Sequence, residues 1–300
     1  MLLTDLISRG RELLSPLYPD REAREMVLAF LEAHLGTGRH THIIEPGYEV
    51  PQESAAYAVR AFERMASGEP LQYVTGQAYF YGRCFKVTPD VLIPRPETEL
   101  LCRNVLCSHA GQAVNPAVLD LCTGSGCIAW TLALEMPGAE VSAVDISDGA
   151  LEIASSQDFS EEISRTGAAA PVFVKCDVLA GPDSHEGPTH LMDKYDILVS
   201  NPPYVMDKEK VLMRPNVLEH EPHLALFVSD DDPLIFYRAI AQWALHILRP
   251  GGYGIVEINE ALGKETAELF ISAGLCDVGI IKDLSERDRF VSFRRGNPAV

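Results

Sequence analysis

Val118-Leu119-Asp120-Leu121-Cys122-Thr123-Gly124-Ser125-Gly126 is the stretch that decides the fold of this chain. Its first residues have the apolar pattern of a buried strand, and the glycine-rich turn leads into an apolar segment at 127–135 that we predict to be a helix. Glycine in such a turn lets the backbone approach a ligand closely at the carboxyl edge of a sheet. The stretch therefore predicts an α/β domain with a ligand site at the end of this strand.

Strands and helices alternate along the rest of the chain. The predicted strands are 117–121, 141–146, 171–176, 195–200, 254–258, 278–283 and 290–294, and the other predicted helices are 149–156, 234–248 and 261–273. Alternation of this kind indicates a parallel sheet with helices on both faces. Only a few residues, 284–288, separate the last two strands, too few for a parallel crossover, so the last strand should be antiparallel. We expect a Rossmann-like sheet of seven strands.

The amino-terminal part has a different pattern. Helical spacing of apolar residues occurs at 2–18, 21–35 and 52–66, and the aromatic and β-branched stretch 73–87 predicts a β-hairpin. The sequence thus predicts a small helical domain at 1–75 that recognises substrate, a hairpin linker at 76–96 and an α/β domain at 97–300. Residues 181–189 are predicted to form a surface loop.

Composition and charge narrow the class of protein. Hydrophobic residues make up 47% of the 300 residues, the net charge is −18, and the chain holds seven cysteines. Apolar runs stay below the roughly 18 residues that span a membrane, and the start of the chain lacks a signal-peptide pattern, so we expect a cytoplasmic protein. The acidic balance disfavours a large DNA-binding face. The odd cysteine count disfavours a disulfide framework, and the two C-x4-C pairs, Cys102/Cys107 and Cys122/Cys127, have unusual spacing for zinc.

Acidic residues stand at the ends of three successive predicted strands. Asp120 precedes the glycine turn, Asp145 ends the second strand, and Asp177 follows the third. The glycine motif alone also permits a nicotinamide enzyme, because Ala129 supplies the third small residue of that fingerprint. An acid at the second strand end accepts hydrogen bonds from ribose hydroxyls. Three such acids fit S-adenosyl-methionine, which carries a cationic sulfonium and no pyrophosphate.

Asn201-Pro202-Pro203-Tyr204 follows the predicted strand 195–200, where a pocket usually opens in a parallel sheet. The two prolines prevent the strand from continuing and hold the chain extended. The Asn201 side-chain oxygen and the Pro202 carbonyl can each accept one N–H of a planar amino group, and the Tyr204 ring can cover its face. This pattern indicates methyl transfer to an amide or exocyclic amine nitrogen.

Together, these motifs resemble those of class I methyltransferases that act on planar nitrogens. Two further stretches, 68–76 (Gly-Glu-Pro-Leu-Gln-Tyr-Val-Thr-Gly) and 92–99 (Leu-Ile-Pro-Arg-Pro-Glu-Thr-Glu), closely resemble the linker of the HemK/PrmC family. The resemblance covers nearly the whole chain. It implies transfer of a methyl group from S-adenosyl-methionine to the side-chain N5 of the glutamine in the Gly-Gly-Gln motif of class 1 peptide-chain release factors, which modulates translation termination.

The resemblance and the strand-end pattern together define the expected site. The expected catalytic residues are Asn201, Pro202 and Tyr204, and the expected substrate-binding residues are Asn201, Pro202, Pro203 and Tyr204. The expected cofactor-binding residues are Asp120, Cys122, Thr123, Gly124, Ser125, Gly126, Asp145, Ile146, Asp177, Val178 and Asn201. No metal is expected, although His220 and His223 lie close together in sequence. Arg95 and Glu97 are expected to be structural rather than catalytic.

Three places depart from the family pattern, and three competing functions stay open. One of them is Asp231-Asp232-Pro233-Leu234, which replaces a usual Asp-Gly-Leu. Cys122 and Glu286 stand where the family usually has glycine, so we expect the backbone at Cys122 not to need a positive φ. A DNA adenine-N6 methyltransferase would share the tetrapeptide but would need a basic groove and a target-recognition domain. A catalytically silent binding protein on the same fold and a nicotinamide oxidoreductase would each share part of the pattern. We expect a monomer whose partners are release factors, without direct nucleic acid binding.

Overall fold

The structure is a computed structural model that describes residues 1–109, 115–182 and 195–297. Residue contacts group the chain into two units, one formed by Met1–Gln77 with Met213–Glu221 and the other by Ala78–Leu212 with Pro222–Val300. The predicted domain boundaries at residues 75 and 96 stay predictions, and most of the predicted loop at 181–189 lies outside the described residues. In the described ranges, no helix combines the length and the apolar character needed to cross a bilayer.

The secondary-structure elements are named in chain order. The helices are α1 (Leu3–Leu14), α2 (Asp20–Leu35), α3 (Thr41–Ile44), α4 (Gln52–Ala66), α5 (Leu71–Thr75), α6 (Glu99–His109), α7 (Cys127–Glu135), α8 (Asp148–Ser155), α9 (Ser160–Thr166), α10 (Pro215–His220), α11 (His223–Leu226), α12 (Ile235–Ile247) and α13 (Gly263–Ser272). The strands are β1 (Gln77–Phe80), β2 (Arg83–Lys86), β3 (Ala117–Leu121), β4 (Glu140–Asp145), β5 (Val172–Lys175), β6 (Tyr195–Ser200), β7 (Val205–Met206), β8 (Phe227–Val228), β9 (Leu248–Glu257), β10 (Leu275–Lys282) and β11 (Asp288–Arg295).

The helical unit packs α1, α2 and α4 around one apolar core. Gly10 on α1 allows this close packing, because a Cβ built there would lie 2.7 Å from Val27 and 2.9 Å from Phe62. The short helix α10 belongs to the same unit although it follows the tetrapeptide in sequence, and the neighbouring Arg214 pairs with Glu22 on α2 at 3.1 Å.

The α/β unit contains a seven-stranded sheet in the order β10-β11-β9-β6-β3-β4-β5. The strand β11 lies between β9 and β10 and runs antiparallel to both, whereas β6 pairs in parallel with β3 and β9. The predicted α/β fold with an antiparallel last strand is therefore confirmed. From β3 the chain adds β4 and β5 on one side and then returns to β6 on the other. A ligand crevice is expected at this reversal in strand order.

Both faces of the sheet are buried. Leu119 and Leu121 of β3 pack into a core with α12 and α13, whereas Val118 packs into a second core with α6 and α7. Alternate residues of a strand point to opposite faces, so one apolar strand supplies both cores. This explains why β3 and β6 read as almost continuous apolar runs.

The predicted and observed elements differ mainly at their ends. β3, β6 and α7 coincide with the predictions, whereas β9 begins at Leu248 rather than at residue 254. α5 occupies the start of the stretch predicted as hairpin, and the hairpin itself is β1 and β2. Arg83 on β2 connects this hairpin to α7 through Glu135 at 2.7 Å and to α9 through Glu162.

Candidate active site

The register of the sheet places several polar side chains in one row at its carboxyl edge. Leu121 pairs with Val144 on one side and with Ser200 on the other, and Ser200 pairs with Val256. The residues that follow these four are Cys122, Asp145, Asn201 and Glu257. Backbone pairing alone therefore brings together residues that are far apart in sequence.

A cleft of about 1120 Å³, open to solvent, lies at this edge. The predicted site residues that line it are Cys122, Thr123, Gly124, Ser125, Asp145, Ile146, Asp177, Val178, Asn201 and Pro203. Four other predicted site residues, Asp120, Gly126, Pro202 and Tyr204, are outside this lining. The structure thus brings most of the expected cofactor-binding residues to one cavity and places the rest behind its wall.

The two glycines of the turn have different surroundings. Gly124 has a φ of +55°, and a Cβ built on it would meet nothing within 4 Å. Gly126 has a φ of +78°, and its Cβ would lie 3.0 Å from Ala154 and 3.2 Å from Trp130. Both need the left-handed conformation that favours glycine. Gly124 leaves room for a ligand, whereas Gly126 lets the start of α7 pack against its neighbours.

The expectation for Cys122 was wrong. This residue has a φ of +61°, so the left-handed conformation is retained although a non-glycine residue stands there. The reason is geometric, because the chain must turn sharply from the end of β3 into the glycine loop. Burial raises the pKa of its thiol well above the usual value, so the side chain stays a neutral thiol in the cleft wall.

Asp120 is fully buried beneath the glycine loop. Its Oδ2 accepts a hydrogen bond of 2.6 Å from the Thr123 hydroxyl. Burial raises the pKa of this carboxyl to about 7, and the Thr123 hydroxyl partly opposes that shift. In this structure the carboxyl holds the loop in place, and the expected role of Asp120 in cofactor binding stays a prediction.

Asp145 lines the cleft with a largely buried carboxylate. Its Oδ2 accepts from the backbone N–H of Gly124 at 2.9 Å, and its Oδ1 accepts from that of Ser147 at 3.0 Å. Burial nevertheless raises the pKa of this carboxyl. Each oxygen keeps further acceptor capacity, as binding to sugar hydroxyls requires. Asp177 also lines the cleft, and its Oδ1 caps the following turn by accepting from the Leu179 N–H at 2.9 Å.

Behind Asn201 lies a hydrogen-bond network around a buried carboxylate. Glu257 is only 1% exposed, and it accepts hydrogen bonds from the Thr98 hydroxyl at 2.7 Å and the Tyr204 hydroxyl at 2.9 Å. Asn201 Nδ2 donates to Thr98 Oγ1 at 3.3 Å. Burial raises the pKa of the Glu257 carboxyl. Burial and the nearby Glu257 raise the pKa of the Tyr204 hydroxyl well above its usual value. Tyr204 therefore remains a hydroxyl donor.

The sequence predictions missed Thr98 and Glu257. Glu257 is the last residue of the apolar strand β9, just as Asp145 is the last residue of β4. The position at a strand end that identified Asp145 would therefore also have identified Glu257. The cleft also takes lining residues from four other places, namely the segment before α6 (Asp90, Val91, Leu92, Pro94 and Arg95), the segment after β5 (Leu179), α11 (Leu224) and α12 (Phe236). Arg95 is thus a cleft residue, although only a structural role was expected.

In the part of the chain that the structure describes, no three His, Cys, Asp or Glu side chains form a cluster suited to a metal ion.

Both the helical and the α/β parts of this chain match families of known proteins. Residues 98–220 match the methyltransferase small domain family, and residues 5–76 match the PrmC N-terminal domain family. The release factor glutamine methyltransferase of Bacteroides thetaiotaomicron is 44% identical over 232 residues, which are 77% of this chain and 78% of that protein. The protein of the same name from Flavobacterium psychrophilum is 34% identical over 293 residues, covering 97% of this chain and 98% of that protein.

Among solved structures, one similar protein is the release factor-specific protein-(glutamine-N5) methyltransferase of Alicyclobacillus acidocaldarius. It is 27% identical, with a TM-score of 0.40, and the match covers 71% of this chain and all of that one. Identity above 30% over most of both chains, as in the two sequence relatives, decides the assignment. The chain belongs to the release factor glutamine methyltransferase family.

Proposed function

We propose that this protein transfers a methyl group from S-adenosyl-methionine to the side-chain N5 of the glutamine in the Gly-Gly-Gln motif of class 1 peptide-chain release factors. The observation that carries the proposal is the position of Asn201. It lines the cleft at the end of β6, in the same row as Asp145. A side chain that can grip an amide thus lies beside the residues expected to hold the methyl donor.

The lining of the cleft fits S-adenosyl-methionine, which supplies a methyl group activated by a positively charged sulfur. Gly124 offers open space beside the backbone, so a ligand can approach the loop. The Asp145 carboxylate is fixed by two backbone N–H groups and can accept ribose hydroxyls. Val178 and Leu179 provide apolar surface near Asp177, where we place the adenine. Most of the residues in the cleft wall are uncharged, which is typical of sites for small molecules.

The chemistry asked of the protein is mainly alignment. A glutamine amide nitrogen is a weak nucleophile because its lone pair is delocalised into the carbonyl. The Asn201 Oδ1 and the Pro202 carbonyl would accept the two amide hydrogens and direct the nitrogen at the methyl group, and the Tyr204 ring would cover the amide plane. When bound, the donor would supply the methyl group and its sulfur would keep the S–C electron pair, and the glutamine nitrogen would lose a proton to water. Orientation of this kind can supply a large part of the rate enhancement.

We further propose a monomeric, cytoplasmic enzyme whose partners are release factors and which does not bind nucleic acid directly. The net charge of −18 supports the absence of direct nucleic acid binding, because phosphate binding needs clustered basic side chains. A DNA adenine-N6 activity is not favoured, since relatives at 34–44% identity carry the name release factor glutamine methyltransferase.

The proposal is tested with isotopically labelled S-adenosyl-methionine and three acceptors. These are a purified class 1 release factor, the same factor with the Gly-Gly-Gln glutamine changed to alanine, and duplex DNA. We expect label on the intact release factor alone. Label on the altered factor or on DNA would contradict the proposal, as would no label on any acceptor with an enzyme that binds the donor.

A further inference from the structure

Glu257 is a buried carboxylate that the proposed mechanism does not use. Ser200 at the end of β6 pairs with Val256 on β9. Asn201 follows Ser200 and Glu257 follows Val256, so these two residues are neighbours across the sheet. An ionised carboxylate can only accept hydrogen bonds. The two side chains that hydrogen-bond to it obey this rule, because the hydroxyls of Thr98 and Tyr204 donate to it at 2.7 Å and 2.9 Å.

The direction of the Thr98 hydrogen bond restricts Asn201. A hydroxyl has one hydrogen, and that of Thr98 is committed to Glu257. The oxygen of Thr98 can therefore offer Asn201 only a lone pair. The Asn201 group that faces it must be the NH2 group, as observed for Nδ2 at 3.3 Å. The other end of the carboxamide, Oδ1, is then turned away from Thr98.

This orientation matters because the two ends of a carboxamide are almost identical in shape and opposite in hydrogen-bonding character. A substrate amide presents an NH2 group. If Asn201 turned its own NH2 group towards that substrate, two donors would face each other and the grip would be lost. A neighbouring residue must therefore select one of the two orientations of the carboxamide, because the Asn201 side chain by itself favours neither.

We infer that Thr98 and Glu257 are positioning residues that fix the Asn201 carboxamide with Oδ1 directed at the substrate amide. This inference rests on the proposed function. It adds a residue just before α6 and one at the end of β9 to the machinery of methyl transfer. Neither needs to touch the substrate, because both act through Asn201. Burial of Thr98 at 1% exposure and of Glu257 at 1% keeps water from competing for these hydrogen bonds.

The test compares variants at Thr98 in full-length enzyme. Thr98→Val keeps the shape and removes the hydroxyl, so Asn201 loses its acceptor. We expect methyl transfer to a release factor in single turnover to slow by roughly 10-fold to 100-fold, with the affinity for S-adenosyl-methionine unchanged within about two-fold. Thr98→Ser, which restores the hydroxyl, should recover most of this loss. Thr266→Val is the matched control, because Thr266 is a fully buried threonine on α13 whose hydroxyl has no hydrogen-bond partner among the described residues.

A double-mutant cycle separates positioning from general structure. If Thr98 acts through Asn201, then Thr98→Val should slow an Asn201→Ala enzyme by less than about two-fold, because nothing remains to be positioned. Full additivity of the two effects would overturn the inference. So would a wild-type transfer rate in Thr98→Val.

Glu257→Leu tests the same relay without changing Thr98. It removes both acceptor oxygens, so the Thr98 hydrogen is no longer held away from Asn201, and we expect transfer to slow by at least roughly 10-fold. A folded Glu257→Leu enzyme with the wild-type rate would overturn the inference. If wild-type enzyme fails to label the release factor, the proposed function fails. If wild-type enzyme labels it and Asn201→Ala labels it much more slowly, but the Thr98 and Glu257 variants behave as wild type, only the positioning inference fails.

Discussion

The Thr98 hydroxyl donates a 2.7 Å hydrogen bond to the buried carboxylate of Glu257, 159 residues further along the chain. This bond ties the segment before α6 to the carboxyl end of β9, next to Asn201. A buried carboxylate is costly unless hydrogen bonds compensate it. Here the hydroxyls of Thr98 and Tyr204 supply that compensation.

Tyr204→Phe tests how strongly the second hydroxyl stabilises Glu257. The variant keeps the ring and leaves one carboxylate oxygen without its 2.9 Å donor. We expect the free energy of unfolding to fall by about 2 kcal/mol, because a hydrogen bond to a buried charged group is lost. Urea unfolding measures this.

Tyr237→Phe is the matched control, since the Tyr237 hydroxyl donates to the backbone carbonyl of Glu257 at 3.2 Å rather than to its carboxylate. Its loss should cost about 1 kcal/mol, because the acceptor is neutral. A larger loss for Tyr237→Phe than for Tyr204→Phe would contradict an ionised Glu257 held by Tyr204.

The two loop glycines should respond differently to alanine. Gly124→Ala places a methyl group in open space at the lining of the cleft, so we expect the affinity for S-adenosyl-methionine to fall at least roughly 10-fold and stability by only about 1 kcal/mol. Gly126→Ala causes the same backbone strain, and its methyl group would also lie 3.0 Å from Ala154 and 3.2 Å from Trp130. Its stability should fall by about 2 to 3 kcal/mol.

Calorimetric titration of the donor and thermal unfolding of both proteins check this pair. The comparison would count against a ligand role for the loop if Gly124→Ala bound the donor as wild type does. It would count against the packing role of Gly126 if the two variants were equally stable.

Glu286→Gly should stabilise the protein. Glu286 adopts a φ of +63° in the turn between β10 and β11, where its N–H donates to the Asp283 carbonyl at 3.1 Å. A non-glycine residue in this conformation costs about 1 kcal/mol, and the greater freedom of glycine in the unfolded chain offsets part of the gain. We expect a net gain of about 0.5 kcal/mol. Glu286→Ala, which removes the charge but keeps the strain, should show no gain, and equal stability of the Ala and Gly variants would contradict this explanation.

Stability should fall as the pH rises from about 5 to 8. Burial raises the pKa of Asp120 from 3.8 to about 7, so the folded protein holds a proton that the unfolded chain has already released. The carboxyls of Asp145 and Glu257 shift in the same direction. Glu162 has its pKa lowered by Arg83 and loses its stabilising effect only at more acidic pH.

The contribution of Asp120 is isolated by Asp120→Asn, which stays neutral. Relative to this variant, wild type should lose on the order of 2 kcal/mol of unfolding free energy between pH 5 and pH 8. Denaturant unfolding at the two pH values measures the difference. Parallel pH dependence in the two proteins would show that Asp120 does not titrate in this range.

The parts of the fold that sequence patterns predicted are those where local and tertiary preferences agree. The residues of β3 and β6 are apolar on both faces, so the strand pattern coincides with what a doubly covered parallel sheet requires. The backbone at Cys122 could not be predicted from residue type, because the turn geometry imposes a positive φ on whatever stands there. Thr98 could not be placed in the site either. Only the packing of the segment before α6 against the end of β9 brings its hydroxyl to Glu257.

The most direct test of the account is mass spectrometry of a class 1 release factor after incubation with S-adenosyl-methionine and either wild-type enzyme or Asn201→Ala. Fragment masses locate the methyl group on a single residue. We predict one methyl group on the side chain of the Gly-Gly-Gln glutamine with wild-type enzyme, and a large reduction of that product with Asn201→Ala. A methyl group on another residue, or undiminished glutamine methylation by Asn201→Ala, would contradict the account.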